Sequence, residues 1–220
     1  MQRKRFAIFD LDGTLLDTLD DLTAAVNHAL ATVGLPRRRR SEVRAFLGNG
    51  IRRLMYAAVG PDCPEDVVQC AFEAFRVYYM AHCAECTRPF AGVDSLLAAL
   101  RREGVATAIV SNKADAVVQL LRRRFFADMV ELAVGESVAV RRKPHPDAIL
   151  KALYDLGGHP AEAVYVGDSE VDIEAARQAE IDCITVLWGF RDEDFLRRAG
   201  AGILVRRPEE IFTIVTGREW

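Results

Sequence analysis

The 220-residue sequence is short of cysteine, of long apolar runs and of any excess of one charge, and each shortage removes a class of protein. Five cysteines, Cys63, Cys70, Cys83, Cys86 and Cys183, are too few and too scattered for a disulfide framework, which fits a reducing, cytoplasmic setting. Cys83 and Cys86 do form a C-x-x-C beside His82, but a structural zinc site takes four ligands and no second pair stands at a suitable spacing, so they read as ordinary thiols. No apolar stretch approaches the roughly 20 residues needed to span a bilayer. The basic start Met1-Gln2-Arg3-Lys4-Arg5 is followed by only four apolar residues before Asp10, too few for a secretory signal. With 29 basic and 32 acidic residues the net charge is −3, so there is no general cationic field to hold nucleic acid. Half of the residues are hydrophobic and 28% are charged, a balance that excludes disordered and collagen-like chains.

At this length the chain holds one large domain, or one domain with a modest insertion. The run Phe6-Ala7-Ile8-Phe9 is short, aromatic and β-branched and stops at Asp10-Leu11-Asp12-Gly13-Thr14, the pattern of a buried strand entering a polar turn. Similar runs recur at 105–110, 130–134, 163–166, 183–187 and 203–205, with helical patterns between them. Leu96, Leu97 and Leu100 precede Gly104; Val117, Val118 and Leu121 follow Ser111; Ile149, Leu150 and Leu153 precede Gly157. Strand and helix in steady alternation predict an α/β fold, a parallel sheet with helices on both faces whose ligands sit at the carboxyl ends of the strands.

Residues 16–88 break the alternation and read as entirely helical. Thr18-x-x-Asp21 resembles a capping box, Leu19, Leu22, Val26, Leu30 and Val33 share one helical face, and Gly34 with Pro36 ends it. Ile51, Leu54, Met55 and Val59 form a stripe after Gly48-Asn49-Gly50, and Val68, Ala71, Phe72, Phe75 and Tyr79 form another after Pro64. The expected organisation is an α/β core made of residues 1–15 and 89–220, with a helical subdomain, residues 16–88, inserted after the first strand to cover its carboxyl end. Arg37-Arg38-Arg39-Arg40 and Arg122-Arg123-Arg124 read as solvated charge.

The chemistry-bearing residues fall at predicted strand ends or in adjoining loops. Asp10 and Asp12 flank Leu11, and Gly13 permits the tight turn that follows. Ser111 closes the second apolar strand, Lys143 precedes Pro144 in a loop, and Gly167-Asp168-Ser169-Glu170-Val171-Asp172 closes another strand. Asp10, Asp12 and Asp168 offer the hard oxygens that Mg²⁺ takes, and close acids of this kind are tolerable beside a phosphate only with a divalent cation and a fixed ammonium such as Lys143. One carboxylate can attack phosphorus while a second protonates the leaving alcohol and then activates water.

In order along the chain, Asp10-Leu11-Asp12-Gly13-Thr14, Ser111-Asn112-Lys113, Lys143-Pro144 and Gly167-Asp168-Ser169-x-x-Asp172 resemble the four motifs of the haloacid dehalogenase-like hydrolase superfamily. Leu15-Leu16-Asp17-Thr18, the helical insertion and Gly48-x-Gly50 look like the phosphoglycolate phosphatase group within it. The resemblance implies a Rossmann-like parallel sheet with an all-helical cap, and Asp10 as nucleophile with Asp12 as general acid and base. Asp10 and Asp168 would bind Mg²⁺ through their side chains and Asp12 through its main-chain carbonyl. Ser111 and the Asn112 backbone N–H would hold the phosphoryl oxygens, and Lys143 would neutralise nucleophile and phosphate together. Asp172 would support the metal site through water or Lys143, and Gly48, Asn49 and Gly50 would reach the substrate from the cap.

The implied activity is Mg²⁺-dependent hydrolysis of a small phosphomonoester through an aspartyl phosphate, with 2-phosphoglycolate the first candidate, in a cytoplasmic monomer or homodimer with no nucleic-acid or membrane partner. The alternatives are a phosphosugar mutase of the same superfamily, similar to β-phosphoglucomutase, and a non-catalytic phosphometabolite-binding protein. A dehalogenase is disfavoured because such members lack the second aspartate, here Asp12, and a phosphonate hydrolase because residues 16–88 contain no lysine for a Schiff base. Phe90-Ala91-Gly92-Val93 departs from the tyrosine, proline, glycine pattern expected where the cap returns to the core. Arg52 and Arg53 have no family role, and each reads as a solvent-facing charge or a partner for a substrate carboxylate. His145, between two prolines, reads as a loop residue, and Asp17 and Thr18 as structural.

Overall fold

The computed structural model describes residues 3–220 and resolves two compact units. One joins the residues up to Leu16 to Pro89–Trp220; the other is Asp17–Arg88. The chain forms β1 (Phe6–Phe9), leaves through the two-residue strand β2 (Leu16–Asp17) and returns through β3 (Arg88–Pro89), with which β2 pairs.

The helical unit consists of α1 (Leu19–Thr32), α2 (Arg40–Phe46), α3 (Ile51–Val59) and α4 (Glu65–His82). Val68, Ala71, Phe75 and Tyr79 of α4 are buried at helical spacing, while Phe72 lies at the margin, its ring beneath the guanidinium groups of Arg52 and Arg76. The start of α1 differs from the capping box expected there. The Thr18 side chain makes no capping bond, and the carboxylate of Asp21, 4% exposed, turns instead to the far end of the unit. There it accepts from Cys86 N at 2.9 Å and from Thr87 N and Oγ1 at 2.8 and 2.7 Å. Three preformed donors outbid one helix amide, so Asp21 clasps the segment after α4 rather than capping α1. The arginine run is engaged within the same unit: Arg38 donates to Ala58 O, Arg39 to Glu42 and Arg40 to Asp20.

The other unit continues through α5 (Val93–Arg102), β4 (Ala106–Ala114), α6 (Asp115–Phe125), β5 (Leu132–Glu136) and α7 (Asp147–Asp155). It ends with β6 (Ala163–Gly167), α8 (Glu170–Gln178), β7 (Asp182–Val186), α9 (Glu193–Arg198), β8 (Ile203–Val205) and α10 (Pro208–Thr216). The strands form one parallel sheet in the order β5-β4-β1-β6-β7-β8. Phe6 and Ile8 of β1 enter a core with Ala152 and Leu153 of α7 and Ala175 and Ala176 of α8, and the alternate residues Ala7 and Phe9 are equally inaccessible, so helices cover both faces. The order reverses at β1, with β4 on one side and β6 on the other, and this switch point opens a crevice at the carboxyl ends of those strands.

β4 runs further than its apolar stretch. Beyond Val110 its register with β5 shifts, and the ladder resumes at Ala114 opposite Glu136, so Ser111, Asn112 and Lys113 lie inside the strand rather than at its close. All three are buried and reach the site described next. No helix among the described residues is long and apolar enough to cross a membrane.

Candidate active site

Asp10 follows β1 directly, its N–H bonded to Val166 O of β6 at 2.8 Å, so the sheet's own ladder carries it into the crevice. Asp168 follows β6, and Asp172 lies in the first turn of α8. Lys143 enters from the loop between β5 and α7, which Asn112 fixes from both ends of its amide: Nδ2 donates to Lys143 O at 2.9 Å and Oδ1 accepts from Lys143 N at 2.7 Å. The Asn112 side chain is thus spent on holding Lys143. The Lys143–Pro144 peptide is cis.

The Lys143 ammonium has three partners, matching its three protons: Asp10 Oδ1 at 2.8 Å, Asp172 Oδ1 at 2.6 Å and Tyr165 Oη at 2.8 Å. Tyr165, 0% exposed in the middle of β6, donates in turn to Asp172 Oδ1 at 3.0 Å. Asp172 Oδ2 accepts from Ser169 N at 3.1 Å and Oγ at 2.6 Å and from Asp168 N at 3.3 Å, closing a capping box on α8. Gly167 makes this possible, because a Cβ there would lie 2.4 Å from Asp172 Cβ. Asp172 therefore supports the site through Lys143 directly while also starting a helix.

Burial dominates the electrostatics. It raises Asp10 to about 7, against the attraction of Lys143, and the charges of Asp172 and Asp12 add to the rise. Asp168 is raised well above the usual carboxylate range by burial and by Asp172 and Asp10. Burial opposes the charge on Lys143, yet its carboxylates prevail and hold its pKa above the ordinary lysine value. The asymmetry follows from numbers: one ammonium faces two partner carboxylates, whereas Asp10 faces one ammonium and two further acids.

Asp10, Asp168 and Asp172 each present an oxygen such that all three lie within 4.8 Å, the one such acidic cluster among the described residues. Hard oxygens at this spacing suit a small divalent cation, whose charge would offset the burial that raises Asp10 and Asp168. Both oxygens of Asp172 already serve Lys143, Ser169 and Asp168 N, which leaves Asp10 and Asp168 as the better ligands. Asp168 Oδ2 is pinned by Phe190 N at 2.6 Å. The 188–191 loop closes so tightly that a Cβ on Gly189 would lie 2.3 Å from Asp168 Cβ. Gly13 (φ +86°) adopts a backbone region that glycine favours, and a Cβ there would lie 2.3 Å from Asp168 Oδ2. Nearby, Thr14 Oγ1 is buried without a hydrogen-bond partner.

A profile of the haloacid dehalogenase-like hydrolases matches residues 7–186. The chain belongs to that family. Among curated relatives, the N-acetylmuramic acid 6-phosphate phosphatase of Pseudomonas aeruginosa PAO1 is 32% identical over 215 residues, 97% of this chain and 95% of the relative. A phosphoglycolate phosphatase of Xylella fastidiosa is 34% identical over 206 residues, 93% of this chain and 90% of the relative. A crystal structure from Lactobacillus delbrueckii subsp. bulgaricus, assigned as a phosphoglycolate phosphatase, superposes with a TM-score of 0.92 at 36% identity, covering 99% of this chain and 100% of that one.

Against this hydrolase background, the sequence-expected residues of the α/β unit sort cleanly. Asp10, Lys143, Asp168 and Asp172 form one hydrogen-bonded cluster, and Ser111, 5% exposed, lies on β4 with its Oγ accepting from Lys113 N at 3.3 Å. Asp12 is not bonded to Lys143. It pairs instead with Lys113, whose Nζ lies 3.1 Å from Asp12 Oδ2. Lys113 and Tyr165 join this set by their contacts, which residue type alone did not reveal. Lys113 stood inside the quoted Ser111-Asn112-Lys113 motif, and an aromatic hydroxyl in the middle of an apolar strand was the available signal for Tyr165. Gly48, Asn49 and Gly50 belong to the helical unit, where Gly50 precedes α3. Arg52 is engaged there by Glu65 and Gln69, over the Tyr56 ring, and His145 is an exposed loop residue.

Proposed function

We propose that this hydrolase is a Mg²⁺-dependent phosphatase of small phosphomonoesters, working through an aspartyl phosphate on Asp10. The observation that carries the reading is the Lys143 ammonium shared between Asp10 and Asp172 with Asp168 at ligand distance, a buried set whose negative charge calls for a cation and whose fixed positive charge favours an incoming phosphate. Asp10 and Asp168 would hold Mg²⁺, with the Asp12 carbonyl, and the ion would neutralise charge on the transferring phosphoryl group. Lys143 donates to Asp10 Oδ1 and so holds the carboxylate in place for its attack on phosphorus. As the P–O bond to the alcohol breaks, Asp12 gives its proton to the leaving oxygen. It then takes a proton from the water that attacks the phosphorus of the aspartyl phosphate, which regenerates the Asp10 carboxylate and releases inorganic phosphate. Ser111 Oγ and the Asn112 N–H hold the equatorial oxygens. The helical unit acts as a cap, with Gly48, Asn49 and Gly50 contacting the substrate.

Two substrates head the list because relatives are named for them, 2-phosphoglycolate and N-acetylmuramic acid 6-phosphate. Both carry a carboxylate besides the phosphate, so an acidic phosphomonoester is the class to test first. The decisive experiment assays a broad phosphomonoester panel, including both compounds and glucose 1-phosphate, for phosphate release with Mg²⁺ and with excess chelator. Activity confined to Mg²⁺, lost on Asp10→Asn, is expected. Phosphoryl return to sugar without phosphate release would favour the mutase, full activity in chelator would remove the metal, and saturable binding without turnover would favour a sensor.

A further inference from the structure

Two carboxylates flank Leu11, and each has its own lysine. Lys143 spends its protons on Asp10, Asp172 and Tyr165, whereas Asp12 is met by Lys113 from β4. The Lys113 side chain is 3% exposed and that of Asp12 23% exposed, so an ammonium almost cut off from water is aimed at the more open carboxylate. Lys113 owes this position to the register shift in β4 that carries the strand past Val110.

We propose that Lys113 is a positioning residue for Asp12, fixing which carboxyl oxygen faces the leaving group, an inference that rests on the reading of Asp12 as general acid and base. The two oxygens of a carboxyl exchange by half a turn about a soft, two-fold torsion, and an ammonium fixed beside one of them breaks that symmetry. Lys113 chooses. An ammonium has three donors and no acceptor, so a proton on Oδ2 would point at a group unable to receive it. Proton transfer is therefore assigned to Oδ1. In the first half-reaction the Oδ1–H bond breaks, its proton goes to the alcohol oxygen as the P–O bond cleaves, and the Lys113 bond to Oδ2 strengthens as Asp12 gains charge. In the second, Oδ1 receives a proton from the attacking water. Lys113 keeps its own protons throughout.

The test compares kcat/KM, which reports steps up to alcohol departure, for p-nitrophenyl phosphate, phenyl phosphate and an alkyl phosphate that the wild-type enzyme hydrolyses. A poor leaving group needs the proton and a nitrophenolate does not. Lys113→Met should lower kcat/KM by about 10- to 100-fold on the alkyl ester and less than about threefold on p-nitrophenyl phosphate, the scale of a misplaced rather than missing acid. Lys113→Arg should restore the alkyl rate to within about fivefold, since a cation again meets Oδ2. An equal fall on all three esters, or none on the alkyl ester, would overturn the proposal, the first by making Lys113 a phosphate contact. Asp12→Asn run alongside separates the two levels: if it does not itself penalise the alkyl ester most, the acid assignment fails before Lys113 is in question. In the Asp12→Asn background Lys113→Met should add less than about threefold, and a full additional loss would count against positioning. Should Lys113→Met fail to fold, Lys113→Gln removes the charge while keeping polar bulk and is read by the same criteria.

Discussion

Lys143→Met removes the central ammonium while keeping a chain of similar length. The native group is 4% exposed and gives charge-assisted bonds to two carboxylates that are themselves at most 9% exposed. Breaking such a buried pair costs about 3–5 kcal/mol because the remaining charge is uncompensated. The carboxylates escape part of that cost by taking up protons, which gives the loss a pH dependence of known sign. A carboxyl raised above its unfolded value keeps a proton in the native state that the unfolded chain has released, so stability falls as pH rises between the two values. In the metal-free wild-type protein Asp10 goes from 3.8 unfolded to about 7 folded. Loss of the lysine removes the attraction that lowers this value, so the variant's Asp10 keeps more of its proton between pH 6 and 8 than the wild-type group does. The variant should therefore fall behind wild type by about 1 kcal/mol more at pH 8 than at pH 6, on top of the pH-independent loss. Urea unfolding in chelator, followed by tryptophan fluorescence, reads this directly, because Trp188 and Trp220 both belong to the α/β unit. A gap that is the same at both pH values, or below about 1 kcal/mol at pH 8, would refute the claim that Lys143 compensates buried carboxylates.

Gly189→Ala would place a methyl 2.4 Å from Asp168 Oδ2 and 2.6 Å from Gly13 O, so apparent Mg²⁺ affinity should drop by about tenfold or more, as for other supports of metal ligands; an unchanged Mg²⁺ titration would show that the loop does not set Asp168. Mg²⁺ binding should release protons at pH 6.5 and tighten as pH rises through about 7, since Asp10 sits near 7 and Asp168 is raised; calorimetry in buffers of different ionisation enthalpy counts the protons, and zero release would contradict the electrostatics. Asp21→Ala should destabilise the helical unit by about 3 kcal/mol by stranding the donors of Cys86 and Thr87. Circular dichroism at 222 nm would follow that loss, with a change below about 1 kcal/mol being the contrary result.

The sheet was legible because buried parallel strands must be short, apolar and closed by polar turns, and six runs met that description. Asp10 and Asp168 were legible as strand-end acids at a switch point, and Lys143 as the loop residue before Pro144. What the chain does not display is partnership. Nothing in the order of residues tells that Asp21 would prefer Thr87 to its own helix, or that Asn112 would use its side chain to hold Lys143, since both bonds span stretches of unrelated sequence. The length of β4 was hidden for a related reason: Ser111 to Lys113 are polar, and hydrophobic periodicity cannot mark a strand whose buried groups are satisfied by other loops.

The central strand of the sheet is also the first to be made. β1 lies between β4 and β6, yet the whole helical unit and α5 intervene before β4 begins at Ala106, and β6 begins only at Ala163. At translation rates of about 5–20 residues per second, Phe6–Phe9 waits roughly 5–20 s for its first neighbour and longer for its second. During that interval the helical unit, complete in sequence at Arg88, can collapse alone. The helical unit thus leaves the ribosome while the sheet still lacks both strands that flank β1.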